Sequence, residues 1–413
     1  MEVLKFTTAG SVDDGKSTLI GRLLLDSKVV MEDQLGAIRE AGRRRGDEEL
    51  NLALLTDGLK AEREQGITID VAYRYFTTPR RKFIIADCPG HIQYTRNMVT
   101  GSSTANLAVV LVDVRKGLLE QTRRHCFIAS LLRIPHLVIC VNKMDLVDYS
   151  RNAFEDVREQ FQEFSRKLEI HDVAFIPISA LHGDNVVGRS AKTPWYKGQS
   201  LLTHLEEVHI ASDFNHIDLR FPVQHVIGPR PGAAQDRRGY GGMLASGSLR
   251  KGDEVVALPS GFSSQVESLE LGGREMPEAS APLCVTVRLQ HEIDLSRGDV
   301  LARPNNQPAV CQDIDAMICW MDREPMRRDK KYVIRHMTKE VLGQVQEIVY
   351  KLDINTLSRV FEDKEVGLND FARVKLRASR PLCYDSYRIN RVTGSFVIID
   401  PQSCSTVAAG LII

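Results

Sequence analysis

The residues with the most specific chemistry lie near the N-terminus, where two glycines precede a Lys-Ser pair. Gly10 and Gly15 let the backbone curl until several N–H groups converge on one concavity, and a helix that begins near Lys16 points its positive end at the same place. Lys16 adds a charge for the β- and γ-phosphates of a nucleotide, and the Ser17 hydroxyl can ligate Mg²⁺. The pattern predicts a phosphate-binding P-loop. Its predicted nucleotide-binding residues are Gly10, Ser11, Val12, Asp13, Asp14, Gly15, Lys16, Ser17 and Thr18.

A second motif, Asn142–Asp145, follows an apolar strand pattern and indicates which base is bound. A carboxylate at Asp145 can accept hydrogen bonds from both N1–H and the exocyclic amine of guanine. Adenine offers no such pair of donors, and a site built on hydrogen bonds can reject the wrong partner by about 10⁴-fold. We expect Asn142 to brace the loop, Lys143 to stack along the base and the segment Ser179–Leu181 to make a backbone contact to the guanine O6. The predicted base-binding residues are Asn142, Lys143, Met144, Asp145, Ser179, Ala180 and Leu181.

A third motif, Asp87–His91, ends another apolar run. Asp87 is placed to hold Mg²⁺ through water, and the Gly90 N–H can meet the γ-phosphate and give way after hydrolysis, so that the loop acts as a switch. His91 is the candidate for orienting the attacking water. That role suffices, because phosphoryl transfer depends mainly on positioning and charge stabilisation. The residues expected to line the nucleotide here are Asp87, Cys88, Pro89, Gly90 and His91.

The segment Glu64–Asp70 precedes an alternating strand pattern and contains Thr68. Thr68 could complete the Mg²⁺ shell and contact the γ-phosphate, so that the segment becomes ordered only when a triphosphate is bound. The predicted cofactors are therefore GTP and Mg²⁺. The predicted catalytic residues are His91, Lys16, Thr68 and Gly90, and the predicted metal ligands are Ser17, Thr68 and Asp87.

The elements that must position these motifs alternate between strands and helices. Short apolar runs at 83–86, 107–112, 137–141 and 173–176 are typical of buried parallel strands. Helices are predicted near 92–103, 119–132 and 152–168. The alternation predicts an α/β domain with a mostly parallel sheet and helices on both faces. Ligands bind beyond the carboxyl ends of the strands in such sheets, and the motifs above lie at those ends.

From about residue 214 the helical pattern stops, and short alternating strands with turns between them follow. This pattern predicts a small closed β-barrel. A second all-β stretch runs from 311 to 413, with strands predicted at 313–320, 331–337, 341–353, 371–378 and 395–400. The predicted fold class is therefore multidomain, an α/β P-loop GTPase domain followed by two β-barrels. The predicted domains are 1–212, 213–306 and 307–413.

The overall composition excludes several classes of protein. Lys and Arg together number 54, as do Asp and Glu, so the formal net charge of the 413 residues is zero, which argues against a broad electrostatic surface for nucleic acid. The eight cysteines are scattered without a C-x-x-C pair, so neither a zinc site nor a redox motif is indicated. The sequence contains no secretory signal pattern and no run of roughly eighteen apolar residues that could span a membrane. We expect a soluble, cytoplasmic protein that binds neither nucleic acid nor membrane.

The motifs together resemble those of the translational-type GTPases, whose members carry a GTP-binding domain followed by two β-barrels. The resemblance narrows to the GTPase subunits of bacterial heterodimeric sulfate adenylyltransferases. Elongation factors usually carry His where this chain has Ser11 and Asp14, and Thr at the position of Ser17, and these departures count against an aminoacyl-tRNA carrier. The segments that carry the narrower resemblance are 10–17, 61–76, 93–98, 194–196 and 238–242.

The resemblance implies a function that the motifs alone do not indicate. In this family, GTP hydrolysis drives the formation of adenosine 5′-phosphosulfate and pyrophosphate from ATP and sulfate. The adenylyl-transfer site lies on a separate small catalytic subunit, which handles ATP and sulfate and forms a heterodimer with the GTPase subunit. By the same resemblance, Val12 and Ile67 would flank the water path as apolar gates, although either could simply pack. In some relatives an adenosine phosphosulfate kinase follows the second barrel, and we expect no such activity from residues 1–413.

Two alternatives remain open on the sequence. The first is an elongation-factor-like translational GTPase that binds aminoacyl-tRNA, which would have the same fold but deliver RNA. The second is a regulatory GTPase whose barrels bind some other protein.

Overall fold

The structure is a computed structural model, in which the chain forms two compact units, Met1–Asp213 and Phe214–Ile413. The described residues are 2–27, 36, 52, 70–91, 94–166, 168, 170, 172–210, 215–228, 238–354 and 356–413.

The first unit is built on a six-stranded sheet in the order β2-β3-β1-β4-β5-β6, in which only the edge strand β2 is antiparallel to its neighbour. Every residue of β4 is buried, because its apolar run lies in the middle of the sheet and is covered on both faces. The strands are β1 Val3–Gly10, β2 Ala72–Thr77, β3 Lys82–Asp87, β4 Leu107–Asp113, β5 His136–Asn142 and β6 Asp172–Pro177.

Helices cover both faces of this sheet. Phe6 of β1 packs in one apolar cluster with residues of the first and last helices. The neighbouring Thr7 instead accepts a hydrogen bond at 3.1 Å from Ser102 of the second helix. Successive residues of a strand point to opposite faces, so these helices lie on opposite sides of the sheet. The helices are α1 Lys16–Asp26, α2 Thr95–Ser102, α3 Glu120–Leu131, α4 Arg151–Ser165 and α5 Leu201–Glu207.

The second unit begins with a closed barrel of six strands. The segment that contains β7 and β8 closes it, because Pro222 pairs with Val300 of β16 and His225 pairs with Gly241 of β9. The remaining order around the barrel is β16-β11-β12-β15-β9. The strands up to this point are β7 Phe221–Pro222, β8 His225–Ile227, β9 Gly239–Met243, β10 Ser248–Arg250, β11 Glu254–Leu258, β12 Ser263–Leu271, β13 Arg274–Met276, β14 Glu278–Ser280, β15 Cys284–Leu289 and β16 Val300–Ala302.

A second closed barrel follows in the same unit. Its order is β18-β22-β23-β17-β21-β19, and the pairing of β18 with β19 closes the ring. Its core contains the aromatic residues Trp320 and Phe396 among branched aliphatic residues. The strands are β17 Ala309–Trp320, β18 Lys331–His336, β19 Lys339–Asp353, β20 Ser358–Val360, β21 Phe371–Tyr384, β22 Ser395–Ile399 and β23 Thr406–Ile412.

Buried polar contacts join the two barrels. The Arg220 guanidinium donates to both carboxylate oxygens of Asp385, at 2.8 and 2.9 Å, and these side chains are only 3% and 8% exposed. Asn390 donates at 2.8 Å to the hydroxyl of Ser246 in the first barrel. The contact between the barrels therefore combines a buried polar network with the apolar packing of Cys383 against residues of β11 and β16.

The predicted fold class is confirmed: an α/β domain is followed by two β-barrels. The last strand, β23, was not among the predicted strands, although it pairs with both β17 and β22. The predicted boundaries within the two-barrel region stay a prediction. Within the described ranges, no helix is both long and apolar enough to cross a membrane.

Candidate nucleotide-binding site

The Gly10–Ser17 segment connects the end of β1 to the start of α1, at the carboxyl edge of the sheet. Gly15 has a φ of 96°, in the left-handed region, and a Cβ at this position would lie 2.5 Å from Asn142 Nδ2. Gly10 has a φ of 146° and packs its backbone against Leu111 of β4. Both positions therefore require glycine, because a side chain would be strained and would collide with a neighbouring strand or loop.

The Lys16 side chain folds back over the loop. Its ammonium donates to the carbonyls of Gly10 at 2.9 Å and Ser11 at 2.8 Å. Burial lowers the pKa of Lys16, and the nearby carboxylates of Asp87 and Asp14 act in the opposite direction. The loop thus holds a positive charge in a largely water-excluded position, where it interacts with an anion more strongly than it would in bulk water.

The Asp14 carboxylate is used within the loop itself. Its Oδ2 accepts from the backbone N–H of Ser11 at 2.7 Å, and its side chain is buried. Burial raises the pKa of Asp14. Val12 and Asp13, by contrast, are exposed at the tip of the loop. The Asp14 side chain therefore holds the loop from its buried side, while Val12 and Asp13 face solvent.

Two residues of α3, which the sequence analysis did not identify, support the loop. His125 accepts a hydrogen bond at Nδ1 from the Gly10 N–H at 3.1 Å, and the Thr122 hydroxyl lies 3.3 Å from that of Ser11. Burial lowers the pKa of His125 to about 3, so the ring is neutral, and its Nε2 lies 2.9 Å from Nε2 of Gln121. Thr122 and His125 are three residues apart, which places them on the same face of a helix, and this spacing is the sequence signal that could have identified them together.

Asn142, the last residue of β5, connects the P-loop to the loop after β6. Its Nδ2 donates to the Asp14 carbonyl at 2.7 Å, and its Oδ1 accepts from the Ala180 N–H at 2.9 Å. An amide side chain can donate from its nitrogen and accept at its oxygen at the same time. One residue therefore holds the phosphate loop and the 179–181 loop at a fixed separation.

Lys143 is held by an acidic residue that the sequence analysis also missed. Its ammonium lies 3.0 Å from Oδ2 of Asp113, the last residue of β4. Arg115 binds the same carboxylate at 3.1 and 2.8 Å. Burial acts against ionisation, but the hydrogen bonds from Arg115 and Lys143 hold the pKa of Asp113 well below its usual range. The sequence signal that could have identified Asp113 was an acidic residue at the carboxyl end of a predicted central strand.

Asp145 lies beside the 179–184 segment. Its side chain is 15% exposed, and its Oδ2 is 4.0 Å from Nε2 of His182. The neighbouring Met144 donates its backbone N–H to the Ile178 carbonyl at 3.2 Å, which brings the Asn142–Asp145 motif against the end of β6. The two predicted base-binding loops are therefore adjacent, with a carboxylate at their junction.

Arg22 of α1 also holds the 179–181 loop. Its guanidinium donates to the carbonyls of Ala180, at 3.3 Å, and Leu181. The Ala180 N–H is already taken by Asn142. A donor from the P-loop helix thus occupies the carbonyls of the loop that the sequence assigned to guanine.

The Asp87–His91 segment approaches the P-loop at the end of β3. Asp87 accepts from the Thr8 hydroxyl at 3.0 Å and is buried. A Cβ on Gly90 would lie 2.5 Å from Lys16 Nζ and 2.9 Å from the Gly10 carbonyl, so only glycine permits this approach. His91 is partly buried.

The Cys88 side chain points into the core and not toward the loop. It lies 3.1 Å from the Thr7 hydroxyl, and burial raises the pKa of its thiol to about 11. Any contact of Cys88 with a nucleotide must therefore come from its backbone. Thr68 and Ile67 lie outside the described residues.

The oxygen donors near Lys16 match the ligand preference of Mg²⁺. The Ser17 hydroxyl and the Asp87 carboxylate are hard oxygen ligands, and Mg²⁺ usually takes one or two protein ligands together with phosphate oxygens and water. Among the described residues no group of three or more His, Cys, Asp or Glu side chains forms a metal site. A magnesium ion shared with a nucleotide therefore fits this donor set better than a metal held by protein side chains alone.

The comparisons with known proteins agree with this arrangement. Residues 1–216 match the family described as Elongation factor Tu GTP binding domain, and residues 313–413 match the family described as GTP-eEF1A C-terminal domain-like. The first match covers more than half of the chain and includes all the loops described above.

Curated relatives match along the whole length. The chain is 55% identical over 412 residues to the Bifunctional enzyme CysN/CysC of Mycobacterium tuberculosis, with 100% of this chain and 67% of the relative covered. It is 53% identical over 414 residues to Sulfate adenylyltransferase subunit 1 of Bacteroides fragilis, with 100% and 86% covered. The corresponding protein of Alteromonas mediterranea is 49% identical over 414 residues, with 100% and 87% covered. The chain therefore belongs to the sulfate adenylyltransferase subunit 1 family and carries a GTP-binding domain of the elongation factor Tu type.

Proposed function

We propose that this protein is the GTPase subunit of a sulfate adenylyltransferase, and that it couples GTP hydrolysis to the synthesis of adenosine 5′-phosphosulfate and pyrophosphate from ATP and sulfate. The observation that carries the nucleotide part of the proposal is the pair of hydrogen bonds by which Asn142 joins the P-loop to the 179–181 loop. The sulfate part rests on the full-length similarity to proteins named Sulfate adenylyltransferase subunit 1.

The guanine base is assigned to the junction of the two base loops. Asp145 accepts from the N1–H and the exocyclic amine of guanine, and Lys143, held by Asp113, lies along the base. Because the Ala180 N–H is engaged by Asn142, the Leu181 N–H is the better donor for the guanine O6. Arg22 supports this geometry by binding the two carbonyls of the same loop.

The base assignment is tested by exchanging the carboxylate for an amide. Asp145→Asn should lose affinity for GTP and gain affinity for xanthosine triphosphate, because xanthine presents a carbonyl where guanine presents the amine. We expect a change of at least about 100-fold in the GTP-to-XTP affinity ratio. An unchanged ratio would remove Asp145 from base recognition.

The phosphates are assigned to the P-loop. The backbone N–H groups of the loop and the start of α1 bind the phosphate oxygens, and Lys16 contributes its charge. Ser17 and Asp87, with Thr68, would hold Mg²⁺, which neutralises charge on the β- and γ-phosphates when bound. Gly90 contacts the γ-phosphate through its N–H, and His91 orients the attacking water.

The partner is proposed to be a separate small subunit that binds ATP and sulfate and transfers the adenylyl group. Formation of a phosphosulfate anhydride is energetically unfavourable, so a second source of free energy has a clear physical purpose. We infer a cytoplasmic heterodimer. All eight cysteines are free thiols, which is typical of a reducing compartment.

The experiment that tests this proposal uses the full chain. It is purified with its partner, and sulfate-dependent release of pyrophosphate from ATP is measured with and without GTP. The proposal requires faster release with GTP. Equal rates, or recovery of partners that carry no adenylyltransferase activity, would support a regulatory GTPase instead.

A translational GTPase is the second candidate, because the N-terminal half matches a domain named after elongation factor Tu. The zero formal net charge disfavours it. Binding of aminoacyl-tRNA only in the GTP state, and with a steep dependence on salt, would favour this candidate over the first.

A further inference from the structure

Asp184 lies at the centre of a hydrogen-bond cluster next to the two base loops. Its Oδ2 accepts from the Tyr149 hydroxyl at 2.5 Å and from the Lys192 ammonium at 3.1 Å. Its Oδ1 accepts from the Ser190 hydroxyl at 2.7 Å. Burial acts against ionisation, but these three hydrogen bonds lower the pKa of Asp184. The carboxylate is therefore charged at neutral pH and bound to three donors.

One side of the cluster leads to Asp145. Tyr149 follows the short 3₁₀ helix Met144–Val147, and its N–H donates to the Met144 carbonyl at 2.9 Å. Asp148 and Tyr149 have φ angles of 50° and 54°, so two consecutive non-glycine residues occupy the left-handed region. This conformation is strained for a residue with a Cβ and persists only where surrounding contacts hold it.

The contacts that hold Tyr149 come from residues 184–195. Besides the bond from its hydroxyl to Asp184, its carbonyl accepts from Trp195 Nε1 at 3.0 Å. Trp195 also packs against Phe154 of α4, with ring centroids 5.3 Å apart. Trp195, which belongs to the 194–196 segment that the sequence analysis noted without a role, thus holds the backbone at Tyr149, shortly after Asp145.

The other side of the cluster leads to the 179–181 loop. The Asp184 carbonyl accepts from the Ser179 N–H at 3.1 Å, and the Gly183 N–H donates to the Ser179 carbonyl at 2.7 Å. His182, between them, is the residue whose ring faces Asp145. Asp184 is therefore bound through its side chain to Tyr149, which follows the Asn142–Asp145 motif, and through its backbone to Ser179 of the 179–181 loop.

We propose that the Tyr149–Asp184 hydrogen bond positions Asp145 against the 179–181 loop and thereby sets the selectivity of the site for guanine. The inference rests on the proposed assignment of guanine to these loops. Tyr149 and Asp184 are positioning residues, since neither is assigned a contact with the nucleotide.

If the Tyr149–Asp184 hydrogen bond positions Asp145, its loss changes nucleotide selectivity; if the bond only stabilises the fold, its loss does not. Inosine triphosphate lacks the exocyclic amine of GTP, so Asp145 makes one hydrogen bond to hypoxanthine and two to guanine. A displaced Asp145 weakens GTP binding more than inosine triphosphate binding. A contact that only stabilises the fold would weaken both equally, or neither.

The test is the ratio of GTP to inosine triphosphate affinity in Tyr149→Phe, measured on the full chain by competition against a fluorescent guanine nucleotide. We expect the ratio to fall roughly three- to tenfold, the effect of one lost hydrogen bond on positioning. The matched control is Tyr196→Phe. It removes a tyrosine hydroxyl that lies outside the Asp184 cluster, one that donates to the Gln199 carbonyl at 3.0 Å, and should leave the ratio unchanged.

Asp184→Ala provides a second variant, and it carries the test if Tyr149→Phe does not fold. It removes the acceptor of the Tyr149 hydroxyl, so its ratio should also fall, by at least as much as that of Tyr149→Phe. A ratio equal to that of the unaltered chain in the folded variants would overturn the proposal. Failure of Asp145→Asn to favour XTP would instead overturn the guanine assignment itself, so the two failures are distinguishable.

Discussion

At the scale of single residues, the site depends on side chains with two partners each. Asn142 donates to Asp14 and accepts from Ala180, and Asp113 binds both Lys143 and Arg115. Loss of the Asn142 side chain leaves two buried backbone groups without this partner, and a buried unpaired polar group costs about 1–3 kcal/mol. Substitutions at these positions should therefore lower both the affinity for the nucleotide and the free energy of unfolding. Substitutions at residues that act only in the chemical step should slow hydrolysis without changing either quantity.

His91 is expected to be a residue that acts only in the chemical step. His91→Ala should bind GTP with unchanged affinity but hydrolyse it roughly 100-fold more slowly, because its proposed role is to orient water and not to hold the nucleotide. Single-turnover hydrolysis and equilibrium binding of GTP measure the two effects. Hydrolysis at the rate of the unaltered chain would exclude His91 from the mechanism.

His125 predicts a dependence of stability on pH. Its pKa in the folded chain is about 3, below the ordinary value of 6.5, because burial disfavours the charged ring. The unfolded chain therefore takes up a proton below about pH 6.5 that the folded chain does not, so this residue lowers the free energy of unfolding by up to about 1.4 kcal/mol per pH unit as the pH falls from 6.5 toward 5.

In His125→Gln this contribution should disappear, and the free energy of unfolding should fall less steeply between pH 6.5 and pH 5. Urea denaturation across that range measures it. His182→Gln is the matched control, because that side chain is 41% exposed. Equal slopes in His125→Gln and the unaltered chain would show that His125 can take up its proton without unfolding.

At the scale of elements, the site forms where the carboxyl ends of β1, β3, β5 and β6 meet. Each of these strands is followed at once by one of the predicted motifs, so strand order in the sheet brings the motifs together. At Gly90 the loop after β3 lies tightly against the P-loop, since a Cβ there would lie 2.9 Å from the Gly10 carbonyl.

Gly90→Ala should therefore push the loop after β3 away from the P-loop. We expect weaker binding of GTP and loss of most hydrolysis, because the Gly90 N–H is proposed to contact the γ-phosphate, while GDP affinity should change less. The control is Gly188→Ala, where a Cβ would meet no described atom within 4 Å. Equal losses of GTP and GDP affinity would argue against a specific γ-phosphate contact.

The motifs and their elements could be predicted because each is local in sequence. A Gly-rich loop after an apolar strand, or an Asn-Lys-x-Asp after another, contains its own geometric signal. The residues that support these motifs from other elements could not be found in this way. His125 reaches Gly10 across 115 residues and Arg22 reaches Ala180 across 158, and these contacts exist only once the sheet order has placed their elements side by side. The strand β23 was not among the predicted strands, although the predicted all-β stretch reaches residue 413, and its pairing with β17 joins residues about 90 positions apart.

At the scale of the whole molecule, the buried Arg220–Asp385 pair ties the two barrels into one unit. Arg220→Met would leave the Asp385 carboxylate buried without its cation, which typically costs about 3–5 kcal/mol. We expect the barrel unit to unfold at a clearly lower guanidinium concentration.

Arg335→Met is the matched control, because Arg335 pairs with Glu340 on the surface, where the two side chains are 54% and 53% exposed. Such a pair contributes about 1 kcal/mol or less. Similar denaturation midpoints for both variants would show that the Arg220 pair does not hold the barrels together.

The central claim is that guanine nucleotide bound at Asp145 drives sulfate activation on the partner subunit. The most direct measurement is sulfate-dependent pyrophosphate release from ATP by the reconstituted complex, with either GTP or XTP added, for the unaltered chain and for Asp145→Asn. We predict stimulation by GTP alone in the unaltered complex and by XTP alone in the variant. Stimulation of the variant complex by GTP, or stimulation of neither complex by any nucleotide, would contradict the account.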